Sequence, residues 1–258
     1  MALQTDRLAV LIDADNAQGA IALELLTEIT RYGTATVKRA YGDWTTPSLK
    51  TWKEVLHKLA IQPIQQFRYA TGKNATDSSL IIDAMDLLHS GRLDGFCLVS
   101  SDSDFTRLAT RIRESGLVVY GFGEAKTPEA FVSACDKFIF TEILRQAAQP
   151  QAIPDSRAVP PLEEILRPAI EATAREGGWS PLAAVGSAIG KTHPSFDSRN
   201  YGFSKLGELV RSQGLLEVNE VPAGDGSRNV VLYVRLKGAQ PGAAAERQQP
   251  PSAPVAAR

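Results

Sequence analysis

Cysteine and histidine are scarce: two cysteines, Cys97 and Cys135, and three histidines, His57, His89 and His193, in 258 residues. Neither type stands at a metal-ligand spacing, which excludes a zinc finger or ribbon. The cysteines sit in apolar runs and read as buried free thiols, so the expected setting is a reducing cytoplasm. The histidines fall in unrelated segments, with no readable Ser-His-Asp or Cys-His arrangement, and no glycine-rich phosphate loop follows a strand. No apolar run reaches the roughly 18 residues that span a bilayer. The opening Met-Ala-Leu-Gln-Thr-Asp-Arg lacks the basic start and apolar core of a secretory signal, so no membrane is expected. An excess of one charge is missing too: 28 Lys and Arg face 29 Asp and Glu, for a net charge of −1. Composition therefore carries no nucleic-acid footprint, although a local basic patch remains compatible with it.

What the chain does have is a change of texture along its length. Residues 1–145 alternate short apolar runs with helical patterns. Residues 146–161, QAAQPQAIPDSRAVPP, have no apolar period and read as a linker. Residues 162–237 resume a helical pattern and end in two strands, and 238–258 form a low-complexity tail expected to be disordered. In the first region, 7–13, 34–43, 61–70, 95–101 and 117–123 read as strands, and 19–33, 47–60, 77–91 and 105–116 as helices; TPEAFVSACDKFIFTE (127–142) closes the region. Such alternation predicts an α/β fold with a parallel sheet covered on both faces.

In open α/β sheets, ligands gather at the carboxyl ends of the strands. Asp13 ends the first strand, Asp102 and Asp104 follow another within LVSSDSDF, and Asp77 opens a helix. Asp83 lies six residues further on, about 240° round that helix, and reads as solvated or structurally paired. Taken singly, each acid reads as a turn or cap residue, as do Asp15 and Asn16. Taken together, Asp13, Asp77, Asp102 and Asp104 predict a carboxylate cluster that repels itself unless a cation neutralises it. Oxygen donors without His or Cys favour Mg²⁺ or Mn²⁺ over zinc. Such an ion suits phosphodiester hydrolysis.

LIDADN (11–16), AYGDW (40–44), GKNATDSSLIIDAMDLL (72–88), LVSSDSDFTRLATRIRESG (98–116) and KTPEAFVSACDKFIF (126–140) resemble, in order and spacing, the NYN domain of the LabA-like group, relatives of PIN-domain ribonucleases. The resemblance covers most of residues 6–145. It implies a PIN-like three-layer α/β/α sandwich and a divalent metal held by Asp13, Asp77, Asp102 and Asp104. It also implies Asn16 as polar companion of Asp13, Ser101 orienting a carboxylate or a water, and Lys73 approaching a phosphate.

The C-terminal region resembles a second family. GWSPLAAVGSAIGKTHPSFDSRNYGFSKLGELVRSQGLLEVNE (178–220) and NVVLYVRL (229–236) are similar to the OST-HTH/LOTUS domain, a small winged-helix-like RNA-binding module. The residues agree: helices near 162–175, 180–190 and 203–213 precede strands 215–220 and 229–236, joined by a PAGDGS wing. Lys191, Arg199, Lys205, Arg211 and Arg228 would meet RNA phosphates, with Tyr201 available to stack on a base. Some members of that family bind a protein partner instead. The leading expectation is a Mg²⁺- or Mn²⁺-dependent ribonuclease, acting as an endonuclease, with the LOTUS module holding single-stranded or structured RNA. Two alternatives stand beside it. One is a non-catalytic RNA-binding scaffold. The other is a haloacid-dehalogenase-like phosphatase, in which Asp13 attacks phosphorus and Asp15 serves as general acid.

Overall fold

A computed structural model of the chain describes residues 5–67, 75–148, 160–222 and 230–238. Lys73, Arg228, the expected wing at 223–227, most of the expected linker and the tail beyond 238 lie outside the described residues. The chain divides into two compact units, residues 1–160 with 190–204, and residues 161–189 with 205–258.

The first unit is built on β1 (Arg7–Asp13), β2 (Thr34–Gly42), β3 (Gln62–Gln65), β4 (Gly95–Val99), β5 (Val118–Gly123) and β6 (Lys137–Phe140). They form one sheet in the order β3-β2-β1-β4-β5-β6, every pair parallel. Parallel sheets must be covered on both faces, and the alternation of side chains along β1 shows how. Ala9 and Leu11 enter one apolar cluster, while Leu8, Val10 and Ile12 enter another. The first cluster is closed by α3 (Ala75–His89), α4 (Thr106–Glu114) and α5 (Glu129–Ala134), through Leu80, Leu108, Ile112 and Phe131. The second is closed by α1 (Ala22–Ile29), α2 (Lys50–Leu56) and α6 (Thr141–Ala148), through Leu25, Trp52 and Leu144. The result is the expected PIN-like three-layer sandwich.

Strand order fixes where chemistry can gather. From β1 the chain steps outward to β2 and β3, then returns to lay β4 on the opposite side of β1. The winding reverses between β1 and β4, and the connections diverge to leave a crevice beyond their carboxyl ends. Register pairs Ile12 with Val99, so Asp13 and Ser100 emerge side by side at that crevice.

Two features go beyond the sequence reading. The stretch 127–142 holds α5, strand β6 and the start of α6, and a four-residue KFIF strand between helical patterns leaves too short a period to read. Residues 190–204 belong to the first unit. There the amide of Phe138, on edge strand β6, donates to the Pro194 carbonyl at 2.9 Å, which occupies a group that an edge strand would otherwise leave unpaired. The Arg199 guanidinium donates to both oxygens of Glu28 at 2.9 and 2.8 Å and to both oxygens of Asp197 at 3.0 and 2.7 Å. Glu28, on α1, is only 4% exposed and accepts a further bond from the Tyr32 hydroxyl.

The second unit holds α7 (Leu162–Thr173), most of α8 (Leu182–Thr192) and α9 (Leu206–Ser212). Its antiparallel sheet has the order β7-β9-β8, from Ser180–Pro181, Val230–Leu236 and Leu216–Pro222. Its buried apolar residues include Leu166, Ile170, Val185, Leu209, Val210 and Val234. Among the described residues of the chain, no helix is long and apolar enough to cross a membrane.

Candidate metal centre

Four acids and a serine meet at the crevice. Asp13, the last residue of β1, is fully buried. Its Oδ2 accepts from Asn16 Nδ2 at 2.7 Å and from Ser100 Oγ at 2.8 Å, and its Oδ1 accepts from the Asp15 amide at 3.2 Å. Ser100 Oγ in turn accepts from the Asp102 amide at 3.1 Å. The loop after β4 is thereby tied to the end of β1. Asp102 caps the tight helical turn Ser103–Phe105 that leads into α4, its Oδ1 accepting from the Asp104 amide at 2.9 Å. Asp77 enters from α3, in the first turn of that helix. One carboxylate oxygen from each of Asp77, Asp102 and Asp104 lies within 4.8 Å of the other two.

The electrostatics of this arrangement run in one direction. The Asp77 carboxyl is pushed up to about 6, by burial first and then by the charges of Asp13, Asp102, Asp104 and Asp15. Asp13 is also raised, first by burial, although its bonds from Asn16 and Ser100 oppose the shift. Carboxylates brought this close without a cation disfavour one another's ionisation. The donor set fits a hard divalent ion. It is all oxygen, and ligands facing each other across an octahedral Mg²⁺ stand about 4.2 Å apart, twice the ~2.1 Å bond.

The family model of the NYN domain matches residues 7–144, more than half of the chain. The chain belongs to the NYN domain family. A second model, that of the OST-HTH/LOTUS domain, matches residues 159–227. No curated protein matches the chain at a significant level. Among solved structures, a protein of unknown function from Vibrio parahaemolyticus is similar at 18% identity, covering 54% of this chain and 94% of that one with a TM-score of 0.45. A solution structure from Chromobacterium violaceum is 33% identical over 35% of this chain and 95% of that one, with a TM-score of 0.26. Another, of an uncharacterized protein from Nitrosomonas europaea, is 32% identical over 36% of this chain and 93% of that one, with a TM-score of 0.27.

Within the NYN domain, three of the four expected acids form the tight cluster. The fourth, Asp13, stands behind them with both oxygens engaged by N–H and O–H donors. Asp13 is thus held by three donors in a fully buried position. Asn16 bonds Asp13 as expected. Of the two serines, Ser100 is the one that holds Asp13; the Ser101 hydroxyl accepts from the Glu124 amide at 2.8 Å. Asp15, read from sequence as a turn residue, accepts from Thr76 Oγ1 at 3.2 Å beside Asp77 and adds to the negative field there. The signal for Ser100 was the strand register, because a residue one step past Val99 must stand beside Asp13. Asp83 is structurally paired, to Arg39 at 2.7 Å and to the Tyr41 hydroxyl. Lys191 and Lys205 are exposed. Arg211 pairs with Glu220 at 2.6 Å. Arg199 is committed to Glu28 and Asp197, and the Tyr201 hydroxyl donates to the Pro160 carbonyl at 2.9 Å.

Proposed function

We propose that this chain is a Mg²⁺- or Mn²⁺-dependent ribonuclease, acting as an endonuclease, whose OST-HTH/LOTUS domain binds the RNA that its NYN domain cuts. The observation that carries this reading is the meeting of Asp77, Asp102 and Asp104 oxygens within 4.8 Å, in a field that already raises Asp77 to about 6. In this reading those three carboxylates hold the ion. Asp13 and Asp15 complete the negative wall, and Asn16 and Ser100 fix Asp13 so that the wall keeps its shape. When bound, the ion would neutralise charge at the scissile phosphate and polarise a coordinated water. The chain's own part is to bind the strand through Lys191 and Lys205, with Ser101 at the rim of the crevice. The free, buried thiols of Cys97 and Cys135 fit a reducing cytoplasm.

The test is incubation of the full chain with end-labelled single-stranded RNA and Mn²⁺. Internal cleavage that disappears in Asp102→Asn supports the proposal. Tight RNA binding without cleavage in any divalent metal makes the protein an RNA-binding scaffold instead. Cleavage unchanged in Asp102→Asn moves the chemistry away from this cluster.

A further inference from the structure

A narrow pocket adjoins the acid cluster on the side of the sheet covered by α1, α2 and α6. It is bounded by the turn after β1, the loop after β4, the end of β5 and the start of α6. Leu25, Trp52 and Phe122 give it apolar walls, and its free space is about 10 Å³, room for one group the size of a water. Asn16 and Ser100 line it and also hold Asp13. Ser101 lines it too and is followed directly by Asp102. The pocket and the acid cluster therefore share two loops.

Its polar atoms form an incomplete hydrogen-bonding set. Thr141, the first residue of α6, is only 6% exposed, and its Oγ1 has no hydrogen-bond partner among the described residues. Arg145, one turn further along, keeps a buried Nε in the same condition. The Ser101 hydroxyl accepts from the Glu124 amide at 2.8 Å and retains its own proton to donate. Buried polar groups almost always find a partner, so such groups around a space this small point to an occupant. Charge narrows its chemistry. Arg145 and Glu124, the ionisable residues that line the pocket among the described residues, pair with each other at 3.2 Å, which leaves a phosphate or carboxylate little attraction. Arg145 Nε and the Ser101 proton can only donate, whereas the Thr141 hydroxyl can donate or accept. A hydroxyl group satisfies both kinds of partner and fits the room, and the apolar walls suit the carbon framework behind it.

A nucleotide's sugar is joined directly to its phosphate, so a strand with a phosphate at the acids brings a sugar to the shared loops. The 2′-hydroxyl, donor and acceptor at once, is the group that distinguishes RNA from DNA. We propose that this pocket receives a ribose 2′-hydroxyl of the strand whose phosphate lies at the acid cluster, so that the NYN domain itself tells RNA from DNA. The proposal rests on the ribonuclease reading for the identity of the strand.

The experiment is binding of the full chain, by fluorescence anisotropy in Ca²⁺, to one single-stranded pool made as RNA, as 2′-fluoro-RNA and as 2′-O-methyl-RNA, with strand integrity checked on gels. Fluorine keeps the size and pucker of ribose but cannot donate, and the methyl group exceeds the room. The parent should prefer RNA over both analogues by roughly five- to tenfold, the effect of one hydrogen bond. Thr141→Val should abolish that preference by weakening RNA binding alone, Thr141→Ser should keep it, and Ser101→Ala, on a different element, should narrow it. Equal binding of the three strands by the parent overturns the proposal. So does a preference that survives Thr141→Val, which places ribose recognition in the OST-HTH domain. Urea melts accompany the titrations. Because the Thr141 hydroxyl has no partner among the described residues, Thr141→Val should be at least as stable as the parent. Lost stability with an unchanged preference makes the pocket the seat of a structural water and overturns the ribose site. Cleavage in Mn²⁺ is scored separately. Cleavage with a preference indifferent to Thr141→Val sinks only the ribose site, whereas a Thr141-dependent preference without cleavage sinks only the nuclease reading.

Discussion

Neutralising Asp77 should make the metal-free protein more stable, although it removes a residue of the site. The Asp77 carboxyl is raised to about 6, by burial first and then by four neighbouring acids, against a usual value near ~3.9. At ~1.36 kcal/mol per pKa unit, that rise corresponds to at most ~3 kcal/mol. Solvent reaches the crevice past exposed Asp104, and screening reduces the figure to about 1–2 kcal/mol. The sign follows from proton binding. A carboxyl raised by folding binds its proton more tightly in the native state, so stability is greatest below about pH 4. It declines as pH rises between about 4 and 6 and stays reduced above that.

Asp77→Asn removes this decline. In EDTA at pH 7.5 the variant should exceed the parent by about 1–2 kcal/mol, or roughly 2–8 °C in Tm for a domain of this size. At pH 4.5 the difference should shrink towards zero. With Mn²⁺ at about 100 times its Kd, the parent gains ~2.7 kcal/mol by mass action and the variant gains far less. Urea titrations at the two pH values, with and without Mn²⁺, measure all of this. A variant less stable than the parent at pH 7.5 in EDTA, or a difference independent of pH, would refute the idea that these acids crowd one another.

Other substitutions follow from the same geometry. Ser100→Ala removes one of the donors to buried Asp13 and should cost about 1–3 kcal/mol in chemical denaturation, with cleavage falling as well. Arg199→Met leaves Glu28 buried without its main partner and should cost ~3–5 kcal/mol at pH 7. Burial alone would raise Glu28, but the Arg199 bonds outweigh it and hold the carboxyl low; the penalty should therefore fade as pH drops through the Glu28 range, which a pH series of urea melts would show. Gly123→Ala places a methyl 2.6 Å from the Ser100 carbonyl and 2.7 Å from Thr127 Oγ1, so the loop bearing Asp102 must shift. Soluble but weakly active protein, with lowered Mn²⁺ affinity by calorimetry, is the expected outcome.

The layered sheet was legible because each strand of the first region is a short apolar run followed by a helical period, and parallel strands need both. β6 was not, since Lys137–Phe140 is too brief to interrupt the surrounding helical pattern. Asp77, Asp102 and Asp104 were legible as acids at a helix start and a strand end, places that this topology brings to one crevice. Ser100 and Asp15 were not, because their roles depend on a register and on a Thr76 contact that no local pattern encodes. Arg199 shows the same boundary from the other side. From sequence it is one basic residue among several in an RNA-binding motif, and only the fold reveals that Glu28, some 171 positions earlier, holds it.

Asp13 shapes the crevice through both its hydrogen bonds and its charge. Its oxygens accept from Asn16, Ser100 and the Asp15 amide, which ties the loop after β1 to the loop after β4. Its charge nevertheless remains at the crevice and is the first of the neighbouring charges that raise Asp77. A buried carboxylate tied by three donors cannot swing away to relieve that repulsion, and the strand register forbids it from moving as a backbone. Rigidity of this kind favours a cation at the mouth of the crevice over any rearrangement of the acids. Asp13→Asn should therefore preserve much of the hydrogen bonding yet weaken Mn²⁺ binding, while Asp13→Ala should disrupt the loops as well, and calorimetry of the two variants separates the contribution of charge from that of architecture.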